Sequence, residues 1–301
     1  MKMISTLAKI SLAAFLLLLS NGPLYGEHRD AKVFVLGTGT VSKNYYPIGQ
    51  ALAKVTNKVF GGRFWLKAVS TNASIDNLIK LQQKILDLAF VLNFNAYDAQ
   101  KGRPPFKGKL EWDKLFSMYP SYVLIIARND IHSLHDIKNK KVWRVPKGGG
   151  QRVLDDLILE ALKLGPDNLI YVGAGTDQVN KLMLEGVIDV AFHNLPYPSG
   201  YFTDLLSSGR FHFLDIPSSI ITKILCRYPC LDEVEIEVDG KKIRTVKTDN
   251  LAISRHDLPK DVKKSVCSVV KDHRSDILEV LAGHPRGKFL QNLVKEFSTC
   301  K

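Results

Sequence analysis

Apolar positions along the chain alternate between two rhythms. Lys32–Leu36 (KVFVL) reads as a strand that runs into Gly37-Thr38-Gly39-Thr40. From about Pro47 the apolar residues Ile48, Ala51, Leu52, Val55 and Val59 recur on one helical face, and Pro47 suits a first helical turn. Arg63–Val69 predicts a second strand, followed by Ser70–Ser74, a helix with Ile75, Leu78 and Ile79 inward, and a third strand at Asp87–Leu92. Ser121–Ala127 (SYVLIIA) is a long apolar strand, after which the pattern restarts. Lys141–Val145, a helix carrying Val153, Leu154, Leu157, Ile158, Ala161 and Leu162, Leu169–Val172, a helix over Thr176–Leu184, and Val187–Phe192 follow in turn. Strands alternating with helices predict parallel sheets, and two such series around one long strand predict two α/β lobes. The last third differs: Val234–Val246 carries an Asp239-Gly240 hairpin signal, Leu251–Ser254 is a short strand, and three helices are expected at Pro259–Asp272, Ser275–Ala282 and Lys288–Phe297.

The first residues bear on compartment. Lys2 and Lys9 precede the apolar run Ile10–Leu19, which Asn21-Gly22-Pro23 breaks, with Gly26 offering a small residue for cleavage before Glu27. This is the grammar of a secretory signal over 1–26, too short for the ~20 residues of a membrane span. The expected mature protein is soluble and periplasmic. Four cysteines, Cys226, Cys230, Cys267 and Cys300, could then form two disulfides in three connectivities; Cys226–Cys230 with Cys267–Cys300 is the expected pairing. Zinc is not expected, because Cys226 and Cys230 lack a second ligand pair at matching spacing.

Composition fits a globular chain, with 45% hydrophobic and 24% charged residues among 301. The net charge of +12 favours anionic partners. Four loops where strands give way to helices are rich in Gly, Ser, Thr and Asn: 37–44, 70–77, 146–151 and 173–178. Ligands of open α/β sheets gather at such loops, where exposed N–H groups favour anions. From Ala31 to Ile75 there is no Asp or Glu, while Lys32, Lys43, Lys54, Lys58, Arg63 and Lys67 are all basic. The Gly37-x-Gly39 turn lacks the acid that a dinucleotide site needs about 20 residues on, so no nicotinamide cofactor is expected. No nucleophile–base pair, paired carboxylates or metal-binding spacing stands out, which disfavours an enzyme. His193, at the end of a strand, is a hydrogen-bonding candidate at the cleft edge, and one ring of Tyr45-Tyr46 should point inward. No motif points to nucleic acid.

At these residues the chain resembles the solute-binding subunits of TRAP transporters of the TAXI type. The resemblance rests on Gly37-Thr38-Gly39-Thr40 followed by Tyr45-Tyr46-Pro47-Ile48-Gly49, and on Ala73-Ser74-Ile75-Asp76-Asn77-Leu78 followed by Asp87-Leu88-Ala89-Phe90-Val91. Met118-Tyr119-Pro120, Asp136–Lys140 before Gly148–Gln151, and Leu184-Glu185-Gly186-Val187-Ile188-Asp189 complete it, in order from about residue 31 to 200. It implies a type II periplasmic binding fold, with 27–127 and 246–301 in one lobe, 128–245 in the other, and hinge strands between. It further implies a small carboxylate as solute, such as a glutamate-like acid, TRAP membrane permease subunits as partners, and no chemistry on the solute; a monomer is the default state. The implied ligand-binding set is Thr38, Thr40, Lys43, Tyr46, Ser74, Asn77 and the Gly148, Gly149, Gly150 and Gln151 loop, beside His193. Gly149 and Gln151 replace hydroxyl residues of the family pattern and Lys43-Asn44 replace a Gly-Thr pair, so the solute is expected to depart from the family norm. An amino-acid-binding protein of an ABC importer, an exported adhesin or surface antigen, and a periplasmic enzyme on the same fold are the alternatives.

Overall fold

The computed structural model describes residues 31–298 apart from Lys147 and Asp239; the expected signal segment, Asp239 of the hairpin turn and Cys300 lie outside the described residues. The first half-series is β1 (Lys32–Gly37), α1 (Tyr45–Phe60), β2 (Phe64–Val69), α2 (Ser74–Gln82), β3 (Leu88–Leu92) and α3 (Asn93–Lys101). A 17-residue strand β4 (Trp112–Arg128) leads into β5 (Lys141–Trp143), α4 (Arg152–Ala161), β6 (Ile170–Tyr171), α5 (Val179–Leu184) and β7 (Val190–Leu195). Then come α6 (Thr203–Ser207), β8 (Phe211–Leu214), α7 (Ser218–Arg227), β9 (Asp232–Val238), the 15-residue β10 (Lys241–Arg255), α8 (Lys260–Asp272), α9 (Arg274–Ala282) and α10 (Gly287–Lys295).

The strands form one continuous sheet in the order β2-β1-β3-β10-β4-β7-β5-β6, with β8 on β4 and β9 on β10. β1 runs parallel to β3, and β5 to β6 and β7. The two long strands are antiparallel to each other and to their neighbours. They are what divides the molecule into two α/β lobes. β4 pairs with β10 from Trp112 to Tyr122, then with β7 and β8 from Tyr122 to Arg128. β10 pairs with β9 over Lys241–Lys247 and with β3 over Asn250–Ser254. The change of partners falls at Tyr119–Tyr122 and Lys247–Asn250, beside a register shift between Asp249 and Leu251.

Each half of the sheet is covered on both faces, as near-continuous apolar strands such as β3 (LAFVL, wholly buried) require. In the first lobe α1, α8, α9 and α10 pack on Phe34, Leu36, Phe64, Leu66 and Phe90, while α2 and α3 cover Ala89, Val91 and Ile253. In the second, α4 and α7 cover Val123, Ile125 and Phe192, and α5 and α6 cover Leu124, Ile126 and Ala191.

Three sequence expectations are corrected. Leu251–Ser254 is not a separate strand but the end of β10, because pairing to β3 and β4 carries the hairpin strand straight through. The sheet is mixed rather than parallel, since the two connecting strands enter against their neighbours. The Cys226–Cys230 bond is absent, and both are free thiols. Cys226 lies exposed in the last turn of α7, whereas Cys230 sits beyond the helix end against the second-lobe core, where its carbonyl accepts from Asn93 Nδ2 at 2.7 Å. Cys267 is disulfide-bonded.

Candidate functional site

A cavity of about 840 Å³ lies between the lobes, with its floor where β4 and β10 cross. The floor is a neutral polar network. Tyr45 Oη donates to Asn250 Oδ1 at 2.6 Å, and Asn250 Nδ2 donates to Tyr119 O and Ser121 Oγ, both at 2.8 Å. One Asn thus ties α1, β4 and β10 together. All four side chains are nearly or fully buried, and burial holds the Tyr45 and Tyr119 phenols far above the ordinary range, so both stay neutral donors.

The first-lobe wall comes from loop ends. Ala73 and Ser74 open α2, and Ser74 Oγ accepts from Leu92 N at 3.0 Å, which fixes it to β3. Ala73 takes φ +66° and ψ −147°, a region open in practice only to glycine. The loop after β1 contributes Gly39, Thr40, Lys43 and Asn44. The turn before α10 contributes Arg286, whose Nη1 donates to Asn44 Oδ1 at 2.9 Å and Nη2 to Lys43 O at 3.2 Å. Lys43 Nζ lies over the Tyr201 ring, 5.6 Å from its centroid, and so reaches across to the second lobe.

The second-lobe wall is built from Trp143, Val145, Gly149–Gln151, His193–Pro196 and Tyr201. The Gln151 amide is spent inside the protein: Nε2 donates to Phe192 O at 2.7 Å and to the Asp155 carboxylate at 3.2 Å, and Oε1 accepts from Asn194 N at 2.8 Å. Asp155 is buried under the start of α4, and desolvation pushes its pKa up to about 7 against the pull of Gln151. His193 is packed between Trp143, Tyr201 and Phe202 with ring centroids 5.1–5.3 Å away. Burial, aided by Lys43, lowers its pKa to about 3, so it is neutral, and its Nε2 has no partner among the described residues.

The lobes meet over this cavity. Asn95 Nδ2 donates to Gly150 O at 3.2 Å, and a methyl group at Gly150 would stand 2.9 Å from Ser74 Cβ. Charge in the cavity is lopsided: Lys43, Arg286 and Lys288 line it against the one carboxylate of Asp177. Lys43 and Arg286 are close enough that burial, together with Arg286, lowers the Lys43 pKa to about 8; burial likewise lowers that of Arg286. Asp177 opposes the shift of Lys43 through space, yet among the described residues neither cation is held in an ion pair. Among the described residues no cluster of His, Cys, Asp and Glu is placed to hold a metal ion.

Of the sequence-derived set, Thr40, Lys43, Ser74, Gly149, Gly150, Gln151 and His193 line the cavity. Thr38, Tyr46, Asn77 and Gly148 do not. Thr38 is fully buried, with Oγ1 donating to Val69 O at 2.6 Å. Asn77 Nδ2 holds Thr38 O and Phe90 O, each at 2.8 Å, and so splices the ends of β1 and β3. Tyr45 rather than Tyr46 is the inward ring, because helix α1 begins at Tyr45 and turns its neighbour to the outside. Sequence reasoning missed Arg286, Tyr119, Ser121, Trp143, Asn194, Tyr201 and Asn250. The signal for Arg286 was thin: one more cation in the His284-Pro285-Arg286-Gly287 turn, far along the chain from the loops it completes.

A cavity between two α/β lobes that share two long strands is the architecture of the periplasmic solute-binding proteins. The chain belongs to the NMT1-like family, whose pattern it matches over residues 36–292. Its fold is similar to the periplasmic aliphatic sulphonate binding protein SsuA from Escherichia coli (13% identity, 90% of this chain and 85% of that one, TM-score 0.50). It is also similar to MatC from Rhodopseudomonas palustris with bound malate (11% identity, 88% and 97%, TM-score 0.52).

Proposed function

We propose that this protein is the periplasmic solute-binding receptor of a TAXI-type TRAP transporter, which captures an organic anion by closing two lobes and delivers it unchanged to the membrane subunits. The observation that carries this reading is the pair Lys43 and Arg286, two cations in the wall of one interlobe cavity with no ion-pair partner among the described residues. A charge taken out of water needs a partner, and an anionic solute is the partner this wall lacks. The lobes are read as 27–127 with 246–301, and 128–245; the change of strand partners near Tyr119–Tyr122 and Lys247–Asn250 supports that division. Hinge bending at the crossing is the working motion. Export by a cleaved signal over 1–26 and action as a monomer complete the proposal.

Native mass spectrometry of freshly purified protein tests it: a co-purified organic anion supports the reading, and a protein that no anion stabilises against heat overturns it. Uptake in vesicles carrying the membrane subunits, driven by an ion gradient without ATP, separates it from an ATP-driven importer.

A further inference from the structure

The cations Lys43, Arg286 and Lys288 are a small part of the cavity wall, and its apolar side chains call for a different part of the solute. Val145, Leu195, Tyr201 and Phe289 each line the cavity while only partly covered by protein. Trp143 and the neutral His193 back them from the second lobe. The polar floor is already satisfied internally, Asn250 serving three partners, and the Gln151 amide is engaged with the β7 backbone at Phe192 and Asn194 and with Asp155. Lys43, Arg286 and Lys288 line the cavity with the single carboxylate of Asp177, and a compact diacid held by them would leave the apolar side chains of the wall uncovered.

Size points the same way. The cavity holds about 840 Å³ with the lobes in contact at Gly150, Ser74 and Asn95. At water's share of liquid volume, ~30 Å³ per non-hydrogen atom, a ten-atom diacid fills only about 300 Å³. Pockets of this size hold ligands of drug-like bulk.

Resting on the receptor reading above, we propose that the solute is an amphipathic monoanion, with one acidic group between Lys43 and Arg286 and a hydrocarbon body against Val145, Leu195, Tyr201 and Phe289. Lys43, Arg286 and Phe289 belong to the first lobe and Val145, Leu195 and Tyr201 to the second, so one molecule bridges both walls. Closure then buries the hydrocarbon and the ion pair together.

The test is calorimetric titration of the intact protein with butanoate, pentanoate, hexanoate and octanoate, with glutarate as the five-carbon diacid and hexanamide as the neutral control. Burying a methylene contributes about a fourfold gain in affinity, so the monoacid series should climb about fourfold per CH2, and pentanoate should bind tighter than glutarate. Leu195→Asn should flatten the climb, with the thermal midpoint of the free variant reporting that it folds. An affinity independent of chain length, or glutarate ahead of pentanoate, overturns the amphipathic solute and leaves the anion receptor standing. Hexanamide binding as tightly as hexanoate removes the anion and with it both readings, as does a protein to which none of the acids binds.

Discussion

Arg286 holds the backbone of Lys43: its Nη2 donates to Lys43 O at 3.2 Å while Nη1 takes Asn44 Oδ1 at 2.9 Å. The two residues are separated by most of the chain, yet the guanidinium both adds a charge to the cavity and sets the loop that carries the other charge. Arg286→Ala should therefore weaken anion binding more than Lys43→Ala. We expect about tenfold for Lys43→Ala and about a hundredfold or more for Arg286→Ala by calorimetry, as the removal of one and of two charge-assisted hydrogen bonds would give. Arg286→Lys should recover little, because an ammonium cannot span both acceptors in the fixed fork of a guanidinium.

The lowered pKa of Lys43, about 8, gives binding a pH profile. Below pH 8 the ammonium is present in the free protein and affinity should be flat. Above it the free protein loses the proton that the anion requires, and affinity should fall by up to tenfold per pH unit. Near pH 8 binding should take up a proton, seen as a binding enthalpy that changes with the ionisation enthalpy of the buffer. Lys43→Arg should keep affinity flat through that range.

Ala73 supplies a test of strain at the cavity wall. Its φ of +66° with ψ −147° disfavours any side chain, at a cost of order 1–3 kcal/mol, against which glycine loses about 0.5–1 kcal/mol through its freer unfolded chain. Ala73→Gly should raise stability by about 1 kcal/mol in urea unfolding, with the m-value unchanged. An unaltered or lower midpoint would show that the strain is relieved elsewhere.

Asp155 ties stability to pH in the opposite sense to an ordinary ion-paired carboxylate. Its folded pKa is raised to about 7 by burial, so the folded protein binds more protons than the unfolded chain between about pH 4 and 7. Its contribution is fully present below pH 4 and is lost as pH rises towards 7, at up to ~1.4 kcal/mol per pH unit. Asp155→Asn should flatten that slope and stabilise the protein at pH 8, provided the Gln151 contact is kept. Melting curves at pH 5, 6, 7 and 8 for both proteins read this directly.

The elements were legible from periodicity wherever a run was long and one-sided. The helix carrying Ile48, Leu52 and Val55 appears as α1, and the apolar Ser121–Ala127 run appears inside β4. What stayed hidden had weaker marks. α3 mixes Asn93, Phe94, Asn95 and Asp98 on its buried side, so no apolar stripe announces it. The nine residues of β4 before Ser121 lay outside the predicted strand, their apolar run broken by Lys114 and Pro120; pairing to β10 settles their conformation. The loop residues near the cavity were readable as loops, but which side chain turns inward depends on helix phase. Thr38 and Asn77 carry the polar character of a site and spend it on backbone carbonyls. Tyr119, Ser121 and Asn250 reach the cavity only because two strands cross there, a fact of topology that no local pattern records.

That crossing also limits how the molecule can move. β4 and β10 stay side by side from Trp112 to Tyr122, bonded to each other through the change of partners. A ribbon two strands wide twists easily but resists stretching. Next to it, Tyr228 Oη donates to Asp98 Oδ2 at 2.6 Å and Asn93 Nδ2 to Cys230 O, fastening α3 of the first lobe to the segment after α7 of the second. The cleft should therefore gape like a bivalve, with a fixed ligament at the back and all its travel at the lip where Lys43 faces Tyr201. Opening then parts Lys43 from Tyr201 and hands the anion's charge back to water.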